Sequence, residues 1–258
     1  MPKIAKVPVV FAVANQKGGV GKTTTVHSLG WALAERGRRV LLVDLDPQAC
    51  LTYSLGLVSD TLVRSLHGVL VHQQSPDDAV VKVGDLQLLP ATIDLAGAEI
   101  HLLSKTGREY VLSRALEPMK PRYDVILIDC PPSLGILTIN GLTAADEVIV
   151  PLQCETLSSR GVGQLLDTIE DVRNFTNPHL AVAGVIATMF DGRTRLGHDV
   201  LAQVREGHRV EVLEPPVPKS VRVAESPATG RSVLEHAPNS PAADAYRRLA
   251  AVLDARLR

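Results

Sequence analysis

Short apolar runs recur along the chain at Val9–Ala14, Val40–Val43, Val125–Ile128, Val148–Val150 and Val182–Ala187. None alternates apolar with polar, as a strand with one wet face would. Continuous runs of this length suit strands covered on both sides, as in a parallel sheet. Between them lie stretches with apolar residues at helical spacing: Thr23–Glu35, Ile136–Ala145, Ser158–Arg173 and His198–Glu206. A last helix is predicted over Ala242–Arg258, where Tyr246, Leu249, Ala250, Leu253 and Leu257 share one side. Strand–helix alternation of this kind predicts an α/β fold with a doubly wound, mostly parallel sheet. Residues 51–122 are less regular and predict small helices with one strand at Gln87-Leu88-Leu89. No Gly/Ser-rich linker divides the chain, so residues 1–258 read as a single domain.

Composition narrows the class. With 45% hydrophobic and 21% charged residues over 258 positions, the chain is globular and long enough for a large core. No apolar run approaches the ~18 residues of a spanning helix. The N-terminus lacks a signal-peptide pattern, so a cytoplasmic location is expected. The cysteines, Cys50, Cys130 and Cys154, are scattered and form no CxxC pair. A disulfide scaffold, a zinc ribbon and a dithiol redox motif are excluded, and three buried thiols are expected instead.

Charge is unevenly spread. Residues 1–40 carry seven Lys/Arg against one acid, residues 41–192 nine against nineteen, and residues 193–258 eleven against eight. A basic face forms if the two ends meet in space; an ordinary mixed surface explains the same numbers. Aromatics make up 3%, which excludes a stacking platform for single strands.

The most informative stretch is Asn15-Gln16-Lys17-Gly18-Gly19-Val20-Gly21-Lys22-Thr23-Thr24-Thr25. It follows a buried strand and opens a helix, the setting of a phosphate-binding loop. Glycines let the backbone turn tightly and aim N–H groups at phosphate oxygens, and the helix dipole adds positive potential. Lys22 would reach the β- and γ-phosphates, Thr23 would bind Mg²⁺, and Thr24 would contact the α-phosphate. The pattern GxxxxGK[ST] needs glycine where Gln16 stands, so the match is to the variant KGGxGK[ST], which adds Lys17. Lys17 sits at the far side of the loop, placed to reach a nucleotide held by another subunit.

Two further strand ends supply acids. Asp44 and Asp46 follow the run Leu41-Leu42-Val43, and Asp129 follows Val125–Ile128. Ligands of such sheets sit at the carboxyl ends of the strands. Asp46 is placed to orient the attacking water, Asp44 to support a hydrated Mg²⁺, and Asp129 to hold Mg²⁺ through a water.

The boxes at Lys17–Thr23, Val43–Gln48 (VDLDPQ) and Ile128–Gly135 (IDCPPSLG) resemble the ParA/MinD family of ATPases with a P-loop NTPase fold. Within it, Thr188–Gly197 (TMFDGRTRLG) and Val217–Gly230 (VPKSVRVAESPATG) resemble the ParA/Soj partition branch, and the likeness runs from Val9 to about Leu253. It implies ATP and Mg²⁺ as ligands, held by Gly18, Gly19, Val20, Gly21, Lys22, Thr23 and Thr24. It also implies a homodimer in the ATP state, with Lys17 contacting the partner's nucleotide and Asp46 driving slow hydrolysis. Arg193 and Arg222 match arginines that contact non-specific double-stranded DNA, with Lys219 beside them. Pro218, Lys219 and Ser220 fall where that branch builds part of its adenine pocket, and Lys219-Ser220 replaces the common Arg-Asn. A ParB-like partner is implied, with a nucleoid-associated location. The chain starts almost at the first strand, without the helix-turn-helix extension of some plasmid relatives, so no operator reading is expected. A MinD-like membrane role would need large apolar residues on the final helix, which has mostly Ala and Leu. An ATP-dependent biosynthetic enzyme with the same phosphate loop is the reading from a different class, and a scaffold-positioning ATPase is a third.

Overall fold

The computed structural model describes residues 8–155 and 158–257. In chain order, β1 (Val9–Val13), α1 (Lys22–Glu35), β2 (Val40–Asp44), α2 (Cys50–Ser54), α3 (Leu66–His72), α4 (Pro76–Ala79), β3 (Val81–Val83) and β4 (Leu86–Leu89) come first. Next are α5 (Leu95–Leu103), α6 (Val111–Leu116), β5 (Val125–Asp129), α7 (Ile136–Ala144), β6 (Glu147–Gln153), α8 (Ser158–Phe175) and β7 (Ala181–Thr188). The chain closes with α9 (Arg195–His208), β8 (Val212–Leu213), α10 (Val221–Glu225), α11 (Val233–His236) and α12 (Pro241–Asp254). The strands form one sheet in the order β3-β4-β2-β5-β1-β6-β7-β8. Every pairing is parallel except β3 with β4 at one edge.

The continuous apolar runs are continuous because the sheet is covered twice. Along β1, Val10 and Ala12 join one core while Phe11 and Val13 join the other. The second core is closed by α1 and α12. Tyr246 of α12 is fully enclosed and its hydroxyl shares a hydrogen bond with Thr25 at 3.3 Å. Gly30 lets α1 lie close on β2, since a Cβ there would stand 2.7 Å from Leu42 Cδ2.

Two edge strands were not legible in the pattern. β3 is three residues long and β8 only two, too short for a periodic signal. Residues 51–122 hold the small helices expected, and the predicted Gln87–Leu89 strand is β4. The thiol expectation is corrected: Cys130 is buried, Cys154 half-buried and Cys50 exposed, because Cys50 opens α2 at the surface. The two basic ends do meet, through α1 and α12, but their charges pair. Asp254 accepts from Arg36 at 2.9 Å and Arg38 at 2.5 Å, and Arg247 bonds Glu35 at 2.8 Å. This region is therefore an ion-paired seam and not a free basic face.

The Tyr246 contact fixes α12 on the helix that carries the phosphate loop. Tyr246→Ala is expected to lower the unfolding free energy by about 3–5 kcal/mol in urea titrations, and Tyr246→Phe by about 1 kcal/mol. Equal losses for the two variants would refute the packing role.

Candidate functional site

The carboxyl edge of the sheet gathers the chemistry. Asp129 at the end of β5 lies in register with Val13 of β1 and with Asp44 of β2. Between β1 and α1 the chain turns through residues 15–21, with Gly19 at φ 73° and Gly21 at φ 85°. Only glycine takes these left-handed values without strain. The turn is anchored at both sides. Asn15 donates to the Pro151 carbonyl (2.7 Å) and accepts from the Lys17 amide (2.9 Å), while the Thr188 hydroxyl donates to the Val20 carbonyl (2.7 Å). Gly21 is the N-cap of α1 and offers no side chain to its first amides. A 14-residue helix thus begins with open N–H donors, which is a ready anion site. Lys22 is buried and arches back, its ammonium donating to the Lys17 carbonyl at 3.2 Å. Burial lowers its pKa, and nearby Asp129 works against that shift.

A cavity of about 740 Å³ opens over this loop. Gly18, Gly19, Gly21, Lys22, Thr23, Thr24 and Asp46 are on its wall, as the sequence predicted. Asp46 Oδ1 accepts from the Gln48 amide at 2.9 Å. Asp129 is 1% exposed, and neither of its oxygens completes a hydrogen bond. The Thr23 hydroxyl is near enough to act on that carboxylate, but without good hydrogen-bond geometry. Burial, reinforced by Asp44, pushes Asp129 well above the carboxylate range. An orphaned buried carboxylate beside a threonine hydroxyl and a lysine fits a divalent cation.

Asp44 departs from its expected role. Its side chain is fully enclosed, and its oxygens are committed to Thr52 N (2.8 Å), Thr52 Oγ1 (2.7 Å) and the Asp46 amide (3.3 Å). Burial pushes its pKa up to about 6. Like Asp129 it is not on the cavity wall, but unlike Asp129 its oxygens are already taken by protein donors.

Other predicted residues lie elsewhere. Val20 is buried behind the loop. Pro218, Lys219 and Ser220 are not on the wall; Pro218 bridges Phe190, and the Lys219 amide donates to the Phe190 carbonyl at 3.2 Å. That pairing sets them beside Met189, which is on the wall. Lys17 points to the opposite side, paired with Glu155 at 2.6 Å, and borders a separate cleft of about 330 Å³ with Gln16 and Arg160. Arg193 is exposed and held by Asp191 through two bonds of 2.9 and 2.8 Å, and Arg222 meets Glu225 at 3.2 Å.

The wall also carries residues that the sequence reading missed: His27, Tyr53, Leu57, Ser226 and Pro227. Helical spacing would have found His27, three and four positions after Thr24 and Thr23. Ser226 and Pro227 reach the cavity through tertiary packing against α2, for which a single sequence carries no signal. His27 is 3% exposed, its Nε2 has no partner, and burial lowers its pKa to about 4.

The fold and this edge define a nucleotide-binding protein of the P-loop class. A family model described as AAA domain matches residues 9–182. Soj, the sporulation initiation inhibitor protein of Bacillus subtilis (strain 168), is 45% identical over 243 residues, 93% of this chain and 96% of that protein. The chromosome partitioning protein ParA of Caulobacter vibrioides (strain NA1000 / CB15N) is 45% identical over 245 residues, 93% of this chain and 92% of its own length. A solved structure called cobyrinic acid a,c-diamide synthase of Mycobacterium smegmatis, with bound ATP analog and magnesium, superposes with a TM-score of 0.86. It is 53% identical and the match covers 96% of this chain and 94% of that one. The chain belongs to the ParA/MinD family of P-loop ATPases.

His27 gives the site a pH signature. Its folded-state pKa of about 4 lies below the ordinary 6.5, so the unfolded chain binds its proton first and stability falls as pH drops through that window. Between pH 7.5 and 5, His27→Gln is expected to gain about 2 kcal/mol on the wild type in urea unfolding. An unchanged difference between the two pH values would sink the assignment.

Proposed function

We propose that the protein is a partition-type ATPase in which ATP binding favours a dimer that binds DNA without sequence preference, and slow hydrolysis releases it. The observation that carries this reading is the open N-terminus of α1 facing a cavity that also holds Lys22, Thr23 and Asp46, above the orphaned Asp129. Thr23 and Asp129 are the residues that would hold Mg²⁺, which when bound screens the phosphate charge. The α1 amides and Lys22 bind the phosphates, with Gly18, Gly19 and Gly21 leaving them room and Thr24 beside the α-phosphate. Asp46 orients the attacking water and accepts its proton. Met189, whose loop is fixed by Pro218 and Lys219, would help hold the base.

Dimerisation brings Lys17 to the partner's nucleotide, which requires it to leave Glu155. An exposed ion pair of this type contributes at most ~1 kcal/mol, so phosphate competes readily. Arg193, Lys219 and Arg222 form the DNA face, Lys219 being drawn to Asp191 and Arg193 through the Phe190 bond. Backbone phosphates displace Asp191 and Glu225 from the arginines and give salt-sensitive binding. A ParB-like protein stimulates hydrolysis. A cytoplasmic, nucleoid-associated role follows, and among the described residues no helix is long and apolar enough to cross a membrane.

A second reading comes from the name of the solved neighbour, an amide-forming biosynthetic enzyme. The cavity supports it in one respect: beyond the phosphate loop it extends to Tyr53, Leu57 and Pro227.

The test is binding to random-sequence duplex DNA at two salt concentrations, with ATP, ADP or no nucleotide. ATP-dependent, salt-sensitive binding is expected, and Asp46→Ala is expected to bind ATP yet stay dimeric on DNA. No binding under any condition would remove DNA and leave the biosynthetic reading to be tested. A second expectation concerns the metal. Asp129→Asn should keep ATP binding but lose the extra thermal stabilisation that Mg²⁺ adds to ATP in the wild type; an undiminished Mg²⁺ effect would remove Asp129 from the metal site.

A further inference from the structure

Four described non-glycine residues have positive φ: Ala49 (52°), Gln73 (55°), Met189 (48°) and Arg209 (53°). Gln73 and Arg209 are the C-caps of α3 and α9, where left-handed backbone is common. Ala49 is the N-cap of α2, where left-handed backbone is unusual, Met189 ends no helix, and both are on the wall of the cavity. Alanine has neither glycine's freedom nor the local hydrogen bonds of asparagine, so its left-handed turn is strained and must be held by its surroundings.

The holding groups are a buried set centred on Thr52. Thr52 is 0% exposed and lies one helical turn after Ala49. Its amide and its hydroxyl both donate to Asp44 Oδ2, at 2.8 and 2.7 Å. The same hydroxyl accepts from the Ala91 amide, just beyond β4, at 3.0 Å. Asp44 Oδ1 accepts from the Asp46 amide at 3.3 Å. The Asp46 carbonyl then accepts from the Ala49 amide at 2.9 Å, and Asp46 Oδ1 from the Gln48 amide at 2.9 Å. Three elements, β2, α2 and the end of β4, thereby fix one short turn. Asp46, Gln48, Ala49 and Cys50 face the cavity, whereas Asp44 and Thr52 do not.

We propose that Thr52 is a positioning residue for Asp46: acting through Asp44, it holds the strained turn at Ala49 and so aims the Asp46 carboxylate into the nucleotide cavity. This rests on the reading of Asp46 as the hydrolytic carboxylate. Removing the Thr52 hydroxyl takes one of two donors from Asp44 Oδ2 and the acceptor of the Ala91 amide. The turn is then free to relax toward right-handed backbone and swing Asp46 away. The phosphate loop, built on β1 and α1, is untouched. Turnover should fall without loss of nucleotide affinity.

The experiment measures ATP turnover and the affinity for a fluorescent ATP analogue with Mg²⁺ in wild type, Thr52→Val, Thr52→Ser and Asp46→Ala, with circular dichroism as the folding check. Thr52→Val is expected to lower kcat about tenfold while Kd stays within about twofold. Thr52→Ser, which restores the hydroxyl, is expected to recover kcat to within about threefold of wild type. If the valine variant does not fold, Thr52→Cys replaces it, with a weaker donor in the same space and the same expected split. Wild-type kcat in the valine or cysteine variant overturns the proposal. So does a joint loss of kcat and affinity that serine fails to rescue. An inactive Asp46→Ala beside a fully active Thr52→Val defeats the role of Thr52 alone. A wild type without turnover, or an Asp46→Ala as fast as wild type, defeats the reading of Asp46 itself.

Discussion

Crowding of carboxylates at one end of a doubly covered sheet is the constraint around which this molecule is arranged. Asp44 and Asp129 sit side by side in register on β2 and β5, with Asp46 two residues on. Water is excluded from both faces there, so each negative charge needs a donor, a cation or a proton. The three acids meet that need differently. Asp44 takes protein donors, Asp46 takes one backbone amide and the cavity, and Asp129 has neither oxygen bonded. This asymmetry leaves Asp44 satisfied by the protein and Asp129 without a partner among the described residues.

The strands were legible because burial on both faces leaves a continuous apolar run, and the phosphate loop because its glycines and lysine have few other uses together. Asp46 and Asp129 were legible once the loop had located the carboxyl edge. The partners of Asp44 were not, since alternation along a strand says which side a residue faces but not what meets it there. Thr52 meets it, from a five-residue helix with no periodic signal. His27 is an intermediate case: spacing places it on the face of Thr23 and Thr24, but its lack of a partner is a tertiary fact. Pro218 and Lys219 were only half readable, because they touch the cavity only through Phe190 beside Met189.

Charge is a second lesson of the same kind. The split between basic ends and an acidic middle left a basic face and an ordinary mixed surface open, and proximity in space paired many of the charges. Arg36 and Arg38 close on Asp254, Arg247 on Glu35, and Arg256 on Glu147 and Glu211. The basic residues around Lys219 hold exposed partners two or three residues away in sequence, where solvent and salt weaken every pair. The first group ties α12 to the body of the protein, while the second can exchange partners at little cost.

The sheet's borders have a consequence for assembly. Its outermost strands, β3 and β8, are three and two residues long, and β3 runs against its neighbour. Such stubs offer little unpaired backbone for another chain to extend. Edge-to-edge growth into fibrils or permanent dimers is thereby discouraged. Any contact between copies is left to side-chain surfaces and not to backbone ladders.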